Sequence, residues 1–306
     1  MHTSTFGKTG YQVSQLGFGG APAAFLKTDG EAAARLVNFL LDSGVNLLDT
    51  AAMYPGSEEF IGNHFAHRRG EYVLVSKCGH KVAGCAAEPW TPELIRFSVD
   101  RALRLLKTDR LDVMLLHSCD LATLEKGEAL GVLVEAREAG KIRFAGYSGD
   151  NEAAAHAATL EDIAVIETSV NIVDQANIEK VLPVAMENNV GVIVKRPVAN
   201  ACWKDLASQP GMYKNYAKVY TERFAAMGLT AGELGYASDA DWAEIALRFT
   251  LAQAGVNTAI IGTTKLENAT ANLAVAAKGP LGADAVAKIR AAFARADAQG
   301  TWTGQT

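Results

Sequence analysis

No apolar run in the 306-residue sequence reaches the ~18 residues that a membrane-spanning helix needs. The first twelve residues are polar and lack the apolar segment of a signal peptide, so a cytoplasmic location is expected. Cysteine is scarce: Cys78, Cys85, Cys119 and Cys202 form neither a CxxC pair nor a zinc spacing, and read as reduced thiols with no metal expected. A basic surplus is missing too. The net charge is −5, which argues against nucleic acid or an anionic membrane surface as a partner. A change of composition, a long linker and a strong internal repeat are all absent, so residues 1–306 are expected to form one domain. The segment "LGFGGAPAAF" has glycines at 17, 19 and 20 but neither GxGxxG nor a clean helix start. That counts against an open doubly wound sheet.

What is present is a regular alternation. Short apolar runs occur at 13–18, 45–48, 72–76, 111–116, 142–147, 163–168, 190–194 and 258–261. They are continuous rather than alternating, as in parallel strands buried on both faces. Helical patterns fill the gaps at 31–43, 91–107, 122–139, 175–188, 241–253 and 283–298, with another start at Ser57. "TPELIRFSVDRALRLLK" opens on Thr91 as N-cap with Pro92 at the first helical position. Eight strands alternating with about eight helices predict an α/β fold, the (β/α)8 TIM barrel. Residues 198–240 are longer than a usual βα loop and predict an insertion after strand seven. Tyr213, Tyr216, Tyr220 and Phe224 recur there at helical spacing. They read either as a stripe packed on the barrel or as a lid over its mouth.

In such a barrel the chemistry collects at the C-terminal ends of the strands. Strand two ends in Asp49, with Tyr54 on the loop beyond it. Strand three ends in Lys77, strand four in His117 and strand five in Ser148. Strand six delivers Glu167, Ser169 and Asn171, strand seven Lys195 and Arg196, and strand eight Gly262, Thr263 and Thr264. Each alone is ordinary: an aspartate caps, a lysine reaches solvent, a histidine packs. Together they fit proton transfer by a phenol. A free tyrosine ionises near pH ~10, and an adjacent ammonium makes it a better acid. Lys77 provides that charge, Asp49 holds Lys77, and His117 positions a substrate oxygen.

"DTAAMYPGSEEFIG", "VSKCG", "LLHSCD", "AGYSG" and "IIGTTKLENATANL" together resemble the signature segments of the aldo-keto reductase family. The resemblance covers nearly the whole chain, in order. It implies a nicotinamide-dependent oxidoreductase with a catalytic tetrad on Asp49, Tyr54, Lys77 and His117. Tyr54 would be the general acid, Lys77 and Asp49 its tuning pair, and His117 the group that orients the carbonyl. It implies a cofactor across the barrel mouth. Ser148, Glu167 and Asn171 would lie at its amide end, with Gly19, Gly20, Lys195, Arg196 and Pro197 along its course. Ile261, Gly262, Thr263, Thr264, Lys265, Asn268 and Asn272 would hold the pyrophosphate and adenosine. NADP is the family default, with NAD as the alternative, because Gly262 and Asn268 stand where basic residues often grip a 2′-phosphate and only Lys265 offers a charge.

Two further departures are expected to be linked. Glu167 replaces the usual glutamine, and Lys195 in "VIVKRPV" replaces a tyrosine that stacks on the nicotinamide. Strands six and seven are neighbours, so Glu167 is expected to pair with Lys195 or Arg196. A lysine there would favour the uncharged reduced ring over the oxidised cation; alternatively Lys195 points to solvent. Substrate-pocket candidates are Phe25, Met53, Trp90 and Trp203, with the segment around Trp302 nearby. Aldehyde, ketone and sugar lactol all fit. Three classes of function stay open: a carbonyl reductase with a small-molecule substrate, a dehydrogenase of an aldose or alcohol, and a non-catalytic cofactor-binding sensor.

Overall fold

The computed structural model describes residues 1–25, 29–208 and 214–305. The first elements are β1 (Thr3–Thr5), β2 (Gln12–Ser14), β3 (Leu16–Gly19), α1 (Ala21–Phe25), α2 (Gly30–Asp42), β4 (Leu47–Asp49) and α3 (Ser57–Phe65). There follow β5 (Val73–Cys78), α4 (Pro92–Leu106), β6 (Leu111–His117), α5 (Leu121–Lys126), α6 (Glu128–Glu138), β7 (Ile142–Ser148), α7 (Asn151–Thr159) and β8 (Ile163–Ser169). Last come α8 (Ala176–Lys180), α9 (Leu182–Glu187), β9 (Gly191–Lys195), α10 (Lys214–Met227), α11 (Trp242–Leu251), β10 (Thr258–Ile261), α12 (Leu266–Ala277) and α13 (Ala283–Ala296). Strands β3 to β10 form a closed barrel in chain order, with β10 pairing parallel to β3. The (β/α)8 expectation therefore holds.

The first expected strand, 13–18, is divided at Gln15. Val13 and Ser14 pair antiparallel with β1, while β3 alone enters the barrel. The resulting hairpin belongs to the floor: Phe6, on its connection, is fully buried and packs in the same cluster as the barrel interior. Gly191 makes room for it, since a Cβ there would lie 2.5 Å from the Phe6 ring. Two expected helices are broken for local reasons. Gly127, at φ +75°, ends α5 and starts α6. Pro183 sits in the first turn of α9, where a missing N–H is tolerated but continuation from α8 is not.

Side chains alternate across a strand with period two. Leu47, Val73, Val75, Val113, Leu115, Val165 and Ile193 share one parity and fill the barrel interior. Leu48, Leu74, Met114, Leu116, Ile166, Val192 and Val194 take the other and pack outward in the cluster that includes the helices. This two-faced burial is why the strands read as continuous apolar runs.

The insertion after β9 contains α10, whose aromatic residues pack inward. Tyr220 is buried and donates to Asp174 at 2.7 Å. Phe224 meets Trp242 edge to face at 4.8 Å, and Tyr216 lies under the Arg196 guanidinium at 4.2 Å. Tyr213 lies outside the described residues.

Candidate active site

Parity also chooses the upper layer of the barrel. Continuing the inward series past the valines and leucines gives Asp49 on β4, Lys77 on β5, His117 on β6, Glu167 on β8 and Lys195 on β9. Below them the interior is apolar, so every charge in this layer needs a partner.

Lys77 and Asp49 are fully buried, at 0% and 1% exposure. The Lys77 ammonium contacts both carboxylate oxygens of Asp49 and donates to the Thr50 carbonyl at 3.0 Å. It also lies 5.2 Å from the centre of the Tyr54 ring. Burial pulls the Lys77 pKa down, but Asp49, Glu167 and Tyr54 outweigh it, and the net direction is upward. The ammonium is therefore retained throughout the neutral range. Tyr54 meets His117 at 6.0 Å between ring centres and Phe25 at 5.6 Å, both edge to face. His117 is held well below its ordinary pKa by burial first, then by the charges of Lys77, His80 and Lys195. It is a neutral imidazole at pH 7, able to donate one hydrogen bond.

The wall continues through His80, whose ring lies 5.1 Å from His117 and 5.2 Å from Trp90. Trp90 is seated over Gly79: a Cβ on Gly79 would fall 1.9 Å from the indole, and Gly79 itself has φ +117°. Gly79→Ala is therefore expected to displace Trp90 and to destabilise the fold by roughly 2 kcal/mol or more. Urea unfolding and Trp fluorescence read both effects; an unchanged midpoint and spectrum would contradict this seating. Met53 is adjacent to Tyr54 in sequence and is 41% exposed. Trp203 departs from the expected pocket. It stacks on Trp242 at 6.5 Å within the cluster under α10, α11 and α13, and the ring contacts around Tyr54 do not reach it among the described residues. Trp302 packs against Phe293 and under Arg223.

The expected pairing of Glu167 with Lys195 or Arg196 does not form. Glu167 turns into the barrel axis, where its Oε2 lies 3.2 Å from the Lys77 ammonium. Lys195, two residues beyond the register partner of Glu167, is paired instead with Asp150 at 3.0 Å. It does not point free into solvent, and its charge is offset, which removes the basis for a strong preference for the reduced cofactor ring. Asp150 is fixed by Thr168 Oγ1, Ser169 N and Asn177 Nδ2, all donating to its Oδ1 at 2.7–2.9 Å. Burial raises its pKa, but Lys195, Arg196 and the Ser169 amide bring it below the ordinary value. Arg196 donates to Ser169 Oγ at 2.8 Å and to the Gln305 carbonyl.

Residues 303–305 are held at this end of the barrel. Arg223 donates to the Thr303 carbonyl at 2.9 Å, and Asn151 and Gly304 exchange two bonds of 2.7 and 3.0 Å. The Gln305 amide donates to Asp174 at 3.1 Å.

The residues assigned to a cofactor fall on one end of the barrel. Ser148 is buried and in register with both His117 and Glu167. Gly19 is in register with Asp49, and the Gly20 amide donates to the Asp49 carbonyl at 2.8 Å. Asn171 is engaged within the protein: it accepts from Val173 N at 3.0 Å and donates to the Arg196 carbonyl at 3.1 Å. The Pro197 carbonyl accepts from Thr250 at 3.1 Å. Beyond Ile261 the chain passes exposed Gly262 and half-buried Thr264 into α12, with Thr263 Oγ1 accepting from the Lys265 amide at 3.1 Å. The α12 N-terminus has no side-chain cap, and Lys265 and Asn268 are exposed while Asn272 is half-buried. An uncapped helix N-terminus beside one lysine fits a phosphate group.

Three participants escaped the sequence reading. His80 and Asp150 both follow a strand end by two residues, just past the positions inspected. The 303–305 segment carries no motif at all; its contacts use its own backbone.

The comparisons agree with the fold. A sequence model described as "Aldo/keto reductase family" matches residues 15–294. "Uncharacterized oxidoreductase YqkF" of Bacillus subtilis is 26% identical over 288 residues, covering 90% of this chain and 91% of the relative. "NADH-specific methylglyoxal reductase" of Escherichia coli is 28% identical over 172 residues, 51% of this chain and 53% of that protein. Among solved structures, the holo form of aldo-keto reductase AKR11C1 from Bacillus halodurans superposes with a TM-score of 0.80 at 27% identity, covering 95% of this chain and 96% of the other.

Proposed function

This chain belongs to the aldo/keto reductase family, and from that premise we propose that it reduces a small aldehyde, ketone or sugar carbonyl with Tyr54 as the proton donor. A nicotinamide cofactor, when bound, supplies the hydride that reaches the carbonyl carbon. The protein must then deal with the negative charge that grows on the substrate oxygen. Neutral His117 donates to that oxygen and aims it. The Tyr54 O–H bond breaks and its proton passes to the oxygen, leaving a phenolate that the Lys77 ammonium stabilises. Asp49 holds Lys77 in place. The observation that supports this reading above the others is the Lys77 ammonium, buried, paired to Asp49 and 5.2 Å from the Tyr54 ring centre, with the neutral His117 imidazole edge to face with the same ring.

The test is a titration with NADPH and NADH, followed by turnover on a panel of aldehydes, ketones and sugars, for wild type and Tyr54→Phe. Turnover that depends on Tyr54 supports the reading; tight cofactor binding without turnover on any of them points to a sensor.

We assign NADPH as the cofactor, with Lys265 gripping the 2′-phosphate. Lys265 is the sole basic residue in 262–272. Its loss removes a charge-assisted hydrogen bond of about 1.5 kcal/mol. Lys265→Ala is therefore expected to raise the NADPH Kd roughly tenfold and leave NADH within about twofold. Equal effects on the two would place the 2′-phosphate elsewhere and favour NADH, the cofactor named for the Escherichia coli relative.

A further inference from the structure

The three groups behind Tyr54 do not balance in charge. One ammonium, Lys77, is shared by two carboxylates, Asp49 and Glu167, and all three are at most 2% exposed. Fully ionised, the cluster would hold a net negative charge inside the barrel, and such a charge is costly to bury. Asp49 takes the close contact with both its oxygens. Glu167 Oε2 approaches the same ammonium to 3.2 Å without a well-aligned hydrogen bond among the described residues, and its carboxyl group lies against that of Asp49.

Among the described residues, the neighbours of Glu167 offer no second cation. Across β7, the register partner is Ser148; the acid beyond that strand, Asp150, is committed to Lys195. On β9, Lys195 is therefore spoken for, and Arg196 is turned to Ser169 and Gln305. Across the interior lie neutral His117 and the phenol of Tyr54. The remedy for one excess negative charge is one proton on the carboxylate pair, and two carboxyl groups this close cannot both ionise freely. The direction of the Asp49 pKa agrees: it is raised well above the ordinary value, by burial first and next by the charge of Glu167, against the pull of Lys77.

We propose that Glu167 is a positioning residue that keeps one proton on the Asp49–Glu167 pair and so sets how readily Tyr54 gives up its own. The inference rests on the reading of Tyr54 as proton donor and deepens it. In the neutral range the cluster is ammonium, carboxylate and carboxyl, with no net charge. When alkali removes the shared proton, a net negative charge appears beside the phenol and opposes its ionisation. Tyr54 is thus guarded against premature loss of its proton. An amide at 167 abolishes that guard, because Lys77 and Asp49 then balance at every pH in this range.

The experiment reads Tyr54 directly. Tyrosinate absorbance is followed against pH in wild type, Tyr54→Phe and Glu167→Gln, and the difference from Tyr54→Phe isolates one of the eight tyrosines. Glu167→Gln is expected to ionise Tyr54 about one pH unit lower than wild type, and Glu167→Asp, which restores the charge, to return toward wild type. The alkaline decline of kcat should move with it. Infrared spectra of wild type at neutral pH should show a protonated carboxyl band that Asp49→Asn removes, a measurement that does not depend on the stability of Glu167→Gln. An unchanged Tyr54 ionisation in Glu167→Gln, or no protonated carboxyl band that Asp49→Asn removes, overturns the proposal. Failure of the underlying reading looks different: Tyr54→Phe would then turn over carbonyl substrates like wild type, whatever the titration shows.

Discussion

Replacing Tyr54 by phenylalanine is expected to lower kcat by about 10²–10⁴-fold, the usual contribution of a positioned general acid, while the cofactor Kd changes little. The change removes one oxygen and keeps the ring, so the edge-to-face contacts with Phe25 and His117 remain. Packing is preserved and the loss isolates proton transfer. If Tyr54 acted only as a wall of the pocket, KM would rise and kcat would survive. The pH profile separates the two further. In wild type, reduction should decline in alkali as the phenol ionises; in Tyr54→Phe that limb should vanish, since the residual rate depends on water. A variant with wild-type kcat, or one that keeps the alkaline limb, would remove Tyr54 from the chemistry.

The second large effect falls on stability. Lys77→Met leaves Asp49 and Glu167 facing each other in the barrel interior without a cation. Removing one partner of a buried ion pair costs about 3–5 kcal/mol, a large share of a typical folding free energy of ~5–15 kcal/mol. The deficit has a definite pH dependence. Asp49 already has its folded pKa raised above the ordinary carboxylate value, and losing Lys77 raises it more. A group whose pKa is raised on folding contributes stability below its unfolded value and loses it as pH climbs through the folded one. The variant should therefore stand nearest to wild type in mild acid and fall away toward pH 8. Urea midpoints at pH 5 and pH 8 measure this; equal deficits at both would mean that the carboxylates find other partners. Adding Asp49→Asn to Lys77→Met should recover part of the loss at pH 8, because the charge that builds on the carboxyl pair as alkali takes its shared proton is then confined to one group.

How much of this was legible beforehand depends on the range of the interaction. The barrel was legible because two-faced burial imposes continuous apolar runs, and the runs at 72–76, 111–116 and 163–168 map onto β5, β6 and β8 within a residue or two. The gathering of Asp49, Lys77 and His117 at one end was legible because the C-terminal ends of barrel strands converge there. Breaks that depend on one residue, at Gln15, Gly127 and Pro183, were harder. Gln15 leaves the strand where β1 pairs with Val13 and Ser14, and that pairing is not legible in the run itself. The partner of Glu167 was misread for the same reason. Neighbouring strands pointed to Lys195, but the distance that matters runs across the barrel interior to Lys77, and a position on one strand says nothing about reach across the axis. Trp203 was taken as a pocket wall because loop tryptophans often are; its companion Trp242 lies 39 residues on, and nothing in either segment announces the stack.

The short 303–305 segment ties together three connections: Asn151 follows β7, Ser169 and Asp174 bracket the turn after β8, and Arg196 follows β9. Local opening in a protein tends to proceed in cooperative units, and here the knot makes one unit of three loops. Their amide protons at Gly304 and Gln305 should exchange with deuterium at a single shared rate, and any molecule that settles among these loops should slow both together. Those two protons are a built-in gauge of occupancy at the mouth, readable without turning the enzyme over.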